Sequence, residues 1–245
     1  MPEEIGSTLK NLKNISETIY GDLKIFSGEW SNDESDEVSY FVSVAWSGWG
    51  KVCAARAATR LIGTSYKNSK IKLLLFTGVA GSGNLNLNQW DIVIPSELIQ
   101  HDMDARPLFQ KYVIPVLKRA KIYAQDSLVS WATQTLRDSS SGRFGKVENG
   151  LVATADKFVA DKTLLDELKI DHPDLKAVEM EGAAVAQIAC QENIPWLIIR
   201  VISDSADSSA AQTFSTFLTE YERDSWELIN LLLINFKNSP ILFSN

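Results

Sequence analysis

Two stretches of the sequence decide the fold, Lys-Ala-Val-Glu-Met-Glu-Gly-Ala-Ala at 176–184 and Pro-Trp-Leu-Ile-Ile-Arg-Val-Ile-Ser-Asp at 195–204. The second is an apolar run that only Arg200 interrupts before it ends in Ser-Asp, and such a run is typical of a strand buried on both faces. In an open α/β sheet, ligands bind beyond the carboxyl ends of the strands. We therefore expect Glu181 and Asp204 to face one crevice, where two carboxyl groups with different neighbours can take different protonation states.

The composition indicates one large globular domain. The 245 residues are 45% hydrophobic with a net charge of −7 and no block of lysine and arginine, which argues against nucleic acid as a partner. The acidic start does not resemble a signal peptide, and the apolar run at 231–234 is too short to cross a bilayer. Cys53 and Cys190 lie among apolar and small residues, which favours thiols of a reducing compartment. We predict a cytoplasmic protein with one domain over 1–245 and no membrane partner.

Strand and helix patterns alternate along the chain. The predicted strands are 38–46, 71–76, 151–154, 177–180 and 196–202, with a short apolar segment at 91–95; the predicted helices are 50–62, 126–136, 162–168, 182–192 and 213–236. A polar, glycine-containing loop is predicted at 138–145. This alternation predicts an α/β fold with a mostly parallel, twisted central sheet flanked by helices.

Two local patterns have competing interpretations. The segment 77–83, Thr-Gly-Val-Ala-Gly-Ser-Gly, either brings backbone amides close to a ligand or forms a tight exit from a strand. It lacks the glycine spacing of a dinucleotide site and the lysine of a P-loop. His101 and Asp102 suggest a metal site, but neighbouring side chains on an extended chain point apart, and His172 is the only other histidine. We expect no metal and no cofactor.

The charged residues of the two opening stretches also have structural alternatives. Arg200 in an apolar strand needs a partner. That partner is either Glu179, Glu181 or Asp204 in a structural ion pair, or an anion or water at the site. Asp204 and Glu181 could each cap a following helix. Neither a Gly-x-Ser-x-Gly pattern nor an informative cysteine–histidine pattern indicates a nucleophile.

Taken together, the motifs resemble the purine nucleoside phosphorylase/uridine phosphorylase superfamily, and within it the 5′-methylthioadenosine/S-adenosylhomocysteine nucleosidases. The segment 178–184 is similar to the family's V-E-M-E-x-x-A, and 200–207 is similar to its R-x-I-S-D-x-A-D. Shorter matches to T-G-x-A-G, S-G-x-G-K-V and M-x-E-E-V stand at 77–81, 47–52 and 1–5. The two longer motifs are specific, and the resemblance extends over most of the chain.

The resemblance implies a homodimeric hydrolase that splits a 5′-substituted adenosine into adenine and a ribose derivative. Asp204, helped by Ser203, would protonate N7 of the departing adenine. Glu4 would position or deprotonate the attacking water, near Arg200. Because the bond cleavage builds positive charge on the sugar and negative charge on the base, a proton for the base and an anionic environment for the sugar both favour the transition state. A crevice closed from water could raise the pKa of Asp204 as this role requires.

The resemblance also assigns the substrate contacts. Glu181 would hold the ribose hydroxyls, and Met180 would pack against the sugar. Phe158 would stack on the purine, and the backbone of Val159 would read the purine edge. The remaining implied contacts are Glu179, Val79, Ala80, Gly81, Trp49, Ala105, Leu108 and Phe214. The last four of these would line the ribose and 5′-substituent regions, with Leu108 as a candidate to reach in from a second subunit.

The chain departs from the family pattern in four places. The family begins with an apolar strand, and this sequence starts at the Met that ends it, so we expect either a start further upstream or a sheet with one strand fewer. In the second case Glu4 would be poorly anchored. Val79 replaces a small hydroxyl residue and Trp49 a smaller aliphatic residue, and the segment 106–109 differs around the 5′ group.

Two alternative functions remain open. A phosphorylase would use phosphate in place of water, but the loops at 46–52 and 77–85 carry no arginine, and Glu4 would repel the anion. A non-catalytic nucleoside-binding protein would keep Glu181 and Phe158 for recognition without a competent water site.

Overall fold

Nine strands and five helices make up the protein in the computed structural model, which describes residues 7–32, 39–64, 71–139, 142–207 and 210–243. The strands are β1 (Lys13–Tyr20), β2 (Leu23–Ser31), β3 (Ser39–Ala45), β4 (Leu74–Ser82), β5 (Ile92–Gln100), β6 (Lys121–Tyr123), β7 (Val147–Thr154), β8 (Leu175–Glu179) and β9 (Trp196–Asp204). The helices are α1 (Lys51–Ile62), α2 (Asp126–Ser139), α3 (Lys162–Asp171), α4 (Gly182–Gln191) and α5 (Ala210–Asn235). The predicted α/β class, with helices flanking a central sheet, is confirmed.

The strands form two sheets. β1, β2 and β3 make a three-stranded antiparallel sheet in chain order. The larger sheet has the order β6-β5-β7-β8-β4-β9, and β5 also pairs with β9, which closes five of these strands into a ring. The ladders β4–β9, β5–β7 and β7–β8 are parallel, whereas β4–β8, β5–β6 and β5–β9 are short and antiparallel. The central sheet is therefore mixed, with parallel pairing in its longest ladders.

The core lies where helices cover the larger sheet. All nine positions of β9 are buried, as its continuous apolar run predicts. Helices α1 and α4 pack against each other, and both are rich in buried alanine, which allows helices to approach closely. Helices α2 and α5 also contact each other and the sheet.

Two sequence predictions about the secondary structure need correction. The strand predicted over 71–76 was expected to end before the segment 77–83, but β4 begins at Leu74 and continues to Ser82, because Val79 and Ala80 pair with β9. Strands β1, β2 and β6 were not predicted. β1 is exposed along almost its whole length, so it lacks the apolar alternation that marks a half-buried strand, and β6 is only three residues long.

Strand β4 brings the ends of β8 and β9 together. Its Gly81 pairs both with Val178 of β8 and with Asp204 of β9. β4 runs antiparallel to β8 but overlaps it only in its last two residues, so the carboxyl ends of the two strands meet. A Cβ at Gly81 would lie 3.0 Å from both Asp204 Oδ1 and the Cβ of Ala206. The close approach at this crossing is therefore suited to glycine.

Two further expectations concern membranes and disulfides. Within the described ranges, no helix combines the length and the apolar character needed to cross a bilayer. Cys53 and Cys190 are both free thiols, and each is half-buried.

The core should show a large difference between buried and exposed leucines. Leu151 in β7 is 0% exposed, and we expect Leu151→Ala to lower the free energy of unfolding by about 2–5 kcal/mol through lost packing and a residual cavity. Leu85 is 95% exposed, so the matched variant Leu85→Ala should stay within about 0.5 kcal/mol of wild type. Urea unfolding followed by circular dichroism measures both, and equal midpoints for the two variants would contradict the assignment of Leu151 to the core.

Candidate functional site

A cavity of about 890 Å³ extends from the crossing of β4, β8 and β9 towards β3 and α1. Its volume suits a small-molecule ligand. Its wall contains most of the residues that the sequence singled out: Trp49, Val79, Ala80, Gly81, Phe158, Val159, Glu179, Met180, Glu181, Arg200, Ser203, Asp204 and Phe214. The crevice predicted at the strand ends therefore exists, and both opening stretches of sequence contribute to it.

A buried ion pair joins β8 to β9 beside this cavity. Arg200 is 1% exposed, and its Nη2 donates to Glu179 Oε2. The same carboxylate oxygen accepts from the backbone N–H groups of Gly182 at 2.6 Å and Glu181 at 3.0 Å, and Oε1 accepts from the Thr154 hydroxyl. Glu179 thus caps the amino end of α4, the position for which Glu181 was the sequence candidate.

These contacts decide between the partners that the sequence left open for Arg200. Its guanidinium is also 3.4 Å from Glu181 Oε2, and its central carbon lies 4.3 Å from the ring centroid of Phe76. Asp204 is not among its hydrogen-bond or ion-pair partners in the described part of the chain. The structural ion pair with Glu179 is present, while Nε of Arg200 is buried and finds no partner among the described residues.

Glu181 lies at the cavity wall, where a backbone N–H contacts one of its carboxylate oxygens and a guanidinium faces the other. Its Oε1 accepts from the backbone N–H of Gly50 at 2.8 Å, and Oε2 faces Arg200. It makes no side-chain cap to α4. Burial raises the pKa of Glu181, and Glu179 adds to the rise, whereas Arg200 and the Gly50 amide oppose it. The Gly50 N–H therefore fixes the position of the carboxylate, and the nearby charges of Arg200 and Glu179 act on its pKa in opposite directions.

Asp204 is buried in a different environment. Its Oδ1 accepts from the backbone N–H of Ala206 at 2.8 Å, and the Ser203 hydroxyl donates to Oδ2 at 2.7 Å. Burial raises the pKa of Asp204, although both hydrogen bonds lower it. Helix α5 begins only at Ala210, so Asp204 closes a local turn and is not the helix cap that the sequence also allowed.

Three aromatic rings line one side of the cavity. The Trp49 and Phe214 rings meet edge to face with centroids 6.4 Å apart, and Phe158 and Phe214 do so at 5.7 Å. Trp49 is 50% exposed and Phe158 36%. These rings offer apolar faces with open access, which is suited to a flat heterocyclic ligand.

Of the predicted site residues, two do not line this cavity and one lies outside the described chain. Ala105 and Leu108 are not part of its wall, and Leu108 is 84% exposed. Glu4 lies outside the described residues, as does the whole 1–5 motif. The predicted contacts of Ala105 and Leu108 therefore need a second copy of the chain or a movement of their loop.

The two residues that suggested a metal have other surroundings. Asp102 accepts from Lys51 Nζ at 2.6 Å and from the backbone N–H of Asp156 at 3.1 Å. Burial lowers the pKa of His101. Over the described ranges, no group of three or more histidine, cysteine or acidic side chains is arranged to hold a metal ion.

Sequence reasoning missed Thr154 and Asp156, which contact Glu179 and the start of α1 without being part of the cavity wall. Thr154 ends β7 and bonds to Glu179, and Asp156 follows two residues later. Asp156 accepts from the backbone N–H of Lys51 at 2.7 Å. The signal was available, because polar residues at the carboxyl end of β7 obey the same rule that identified Asp204 at the end of β9.

Comparison with known proteins gives matches that extend over most of the chain. A model of the phosphorylase superfamily matches residues 1–233. A 5′-methylthioadenosine/S-adenosylhomocysteine nucleosidase of Anoxybacillus flavithermus is 32% identical over 95% of this chain and 94% of that protein. The Neisseria meningitidis nucleosidase of the same name, solved with methylthio-immucillin-A, is 29% identical with a TM-score of 0.83 over 95% of each chain. Futalosine hydrolase of Helicobacter pylori is 28% identical with a TM-score of 0.81, over 96% of this chain and 94% of that one.

The raised pKa of Asp204 predicts a stability change that depends on pH. The folded state binds the Asp204 proton more tightly than the unfolded chain, so stability is lost as pH rises from the unfolded pKa of about 3.9 through the higher folded pKa. Asparagine carries no charge and keeps an acceptor for Ala206. We expect Asp204→Asn to raise Tm at about pH 8, and the gain to vanish below about pH 4.

Asp102 is the control of opposite sign for this measurement. Burial alone would raise the pKa of Asp102, but hydrogen bonds from Lys51 and the Asp156 amide outweigh burial and lower it. Its charged form therefore stabilises the fold above the unfolded pKa, and Asp102→Asn should lower Tm at about pH 8 and less so in acid. Thermal scans of both variants across pH test the pair, and a shift of the same sign in both would contradict the two environments.

Proposed function

The chain belongs to the phosphorylase superfamily and, within it, to the family of the 5′-methylthioadenosine/S-adenosylhomocysteine nucleosidases, and we propose that it hydrolyses the N-glycosidic bond of 5′-substituted adenosines. The observation that carries the proposal is the pair of carboxyl groups in one cavity. Asp204 is buried beside a hydroxyl and has a raised pKa, while Glu181 lies next to Arg200. The products are adenine and the 5′-substituted ribose.

Asp204 acts as the general acid. Burial favours its protonated form, and the Ser203 hydroxyl at 2.7 Å holds the carboxyl group in position. Its proton passes to N7 of the purine as the C1′–N9 bond breaks, so that adenine leaves as a neutral base. A proton held at the right place lowers the barrier because negative charge develops on the base only in the transition state.

The part of the cavity that Glu181 lines binds the sugar. Glu181 accepts hydrogen bonds from the ribose hydroxyls, and its negative charge favours the positive charge that develops on the ring. Arg200 and the Gly50 amide oppose the rise of its pKa and so favour the ionised form. Met180 packs against the sugar. Glu4, which lies outside the described residues, activates the attacking water.

The aromatic rings recognise the rest of the substrate. Phe158 stacks on the purine, with the Val159 backbone at the purine edge. Phe214 and Trp49 line the ribose and the 5′ substituent, consistent with their contact in the cavity wall. The backbone of 79–81 lies beside Asp204 at the strand crossing and completes the purine end of the cavity.

The cations of the cavity favour water over phosphate as the second substrate. Among the described residues of its wall, the cationic side chains are Arg200, Lys72 and Lys157. Arg200 is paired with Glu179, and Lys72 precedes β4, at the end of that strand away from Asp204. Lys157 then carries most of the remaining positive charge near the acids, which is little for an anion with two negative charges.

The exposed loop around Leu108 supports a homodimer. Leu108 is 84% exposed and Val52 at the start of α1 is 79% exposed, so both apolar side chains are available to a second copy of the chain. We propose that a second copy covers these two side chains and that Leu108 of one copy closes the 5′ end of the other copy's cavity.

The free thiols and the composition support a cytoplasmic location.

Release of adenine from methylthioadenosine tests the reaction. We expect the purified protein to release adenine equally with and without phosphate, as followed by chromatography. Adenine release that requires phosphate would replace the proposal with a phosphorylase. Calorimetric binding of the nucleoside without any product would replace it with a binding protein.

The acid assignment predicts a large and specific loss in Asp204→Asn. The amide has the shape of the carboxyl group but cannot deliver its proton, so we expect kcat to fall by about 10²–10⁴-fold with Kd for the substrate within a few-fold. The matched variant Asp22→Asn changes a highly exposed carboxylate that pairs with Arg56 and should keep wild-type kinetics. Turnover by Asp204→Asn close to that of Asp22→Asn would show that another group supplies the proton.

A further inference from the structure

Two carboxylates from other elements hold the amino end of α1. The backbone N–H of Gly50 donates to Glu181 Oε1 at 2.8 Å, and that of Lys51 donates to Asp156 Oδ1 at 2.7 Å. The N-cap residue Gly50 has no side chain with which to cap the helix. Because the first N–H groups of a helix lack internal partners and carry partial positive charge, both carboxylates stabilise this end. One belongs to the proposed ribose site, and the other lies outside the cavity wall.

Asp156 is part of a closed ring of hydrogen bonds. Lys51 Nζ donates to Asp102 Oδ1 at 2.6 Å, Asp102 Oδ2 accepts from the Asp156 N–H at 3.1 Å, and Asp156 accepts in turn from the Lys51 N–H. The ring joins the start of α1 to the segments that follow β5 and β7. Since the pKa of Asp102 is lowered despite burial, its carboxylate stays charged and the ring stays intact at neutral pH.

The backbone at Gly50 is shaped around this ring. Gly50 has a φ of 85°, a conformation that other residues rarely adopt. A Cβ at this position would lie 2.7 Å from Asp156 Oδ1. The Asp156 carboxylate therefore packs directly against the residue whose N–H holds Glu181.

Asp156 is also close in sequence to the proposed purine platform. Phe158 follows two residues later, and its ring packs against Phe214 at the cavity wall. The amide of Asp156 ties this segment to Asp102, while its carboxylate ties the segment to α1. One residue thus links the backbone behind Glu181 with the segment that carries Phe158.

We propose that Asp156 is a positioning residue that sets the hold of Glu181 on the ribose through Gly50 and fixes the segment carrying Phe158. The inference rests on the proposed function, since it assumes that Glu181 binds the ribose hydroxyls. Asp156 touches no substrate. Its loss frees the first turn of α1, and the Gly50 N–H then holds Glu181 less firmly.

The test is Asp156→Ala, with three readouts. Hydrogen exchange of the backbone amides at 47–54 should become faster. The preference for ribonucleosides over 2′-deoxy analogues, measured by calorimetric Kd, should fall about tenfold, the size expected for one charge-assisted hydrogen bond. The acid limb of kcat/KM should move to higher pH, because the Gly50 N–H lowers the pKa of Glu181 and its loosening lets that pKa rise.

Asp161→Ala is the matched control. Asp161 also accepts from a helix amide, that of Thr163 at 2.9 Å, but it caps α3 and is not part of the cavity wall. It should lower Tm without changing ribose selectivity. Asp156→Asn keeps an acceptor oxygen and serves if the alanine variant does not fold; it should show the same three changes to a smaller degree.

A double variant separates positioning from general damage. In a Glu181→Gln background, Asp156→Ala should cause little further loss of ribose selectivity, because both changes act on one contact. Additive losses, or unchanged amide exchange at 47–54, would overturn the inference. If the wild-type protein released no adenine, the proposed function would fail, yet amide exchange and the binding selectivity would still decide whether Asp156 holds Glu181.

Discussion

A carboxylate and a guanidinium buried together between β8 and β9 set the geometry of their surroundings. Glu179 accepts hydrogen bonds from Nη2 of Arg200, from the hydroxyl of Thr154 and from the backbone N–H groups at the start of α4. Removing one partner of such a pair leaves a buried charge without compensation, which typically costs about 3–5 kcal/mol. The position of Glu181, two residues beyond Glu179, follows from this arrangement, as does the orientation of α4 against the sheet.

The same cavity gives its two other carboxyl groups different surroundings. Glu181 lies near Arg200 and accepts a backbone N–H, so cationic and dipolar groups oppose the effect of burial on it. Asp204 accepts hydrogen bonds from a hydroxyl and one amide, which lower its pKa, while burial and the nearby charge of Asp207 raise it. In contrast to Glu181, Asp204 has no guanidinium among its described contacts that would favour its charged form. This asymmetry separates a group suited to giving a proton from a group suited to binding a sugar.

Most of the site was accessible from the sequence because its key residues stand at the ends of apolar runs. The run that ends at Asp204 identified both a buried strand and a polar strand end, and the same held for Glu179 and Glu181. The pairing direction was not accessible: β4 crosses β8 in the antiparallel sense, and only the register at Gly81 reveals that the strand ends meet. Strand β1 could not be predicted because it is exposed and therefore lacks an apolar alternation. The position of Asp156 after β7 was available as a signal, but its partners were not, because they are 54 and 105 positions away along the chain.

The residues proposed to break the bond and those proposed to select the 5′ substituent lie in different kinds of structure. Asp204 and Glu179 end strands that are buried on both faces, whereas Trp49 and Leu108 stand outside regular secondary structure. Substitutions in such strands are rarely tolerated, while loops accept them readily. In the proposed function, substitutions at Trp49 and Leu108 would therefore alter which 5′ group is accepted, while Asp204 and Glu179 would be retained. Among proteins with this arrangement, substrate specificity would therefore diverge before the reaction type does.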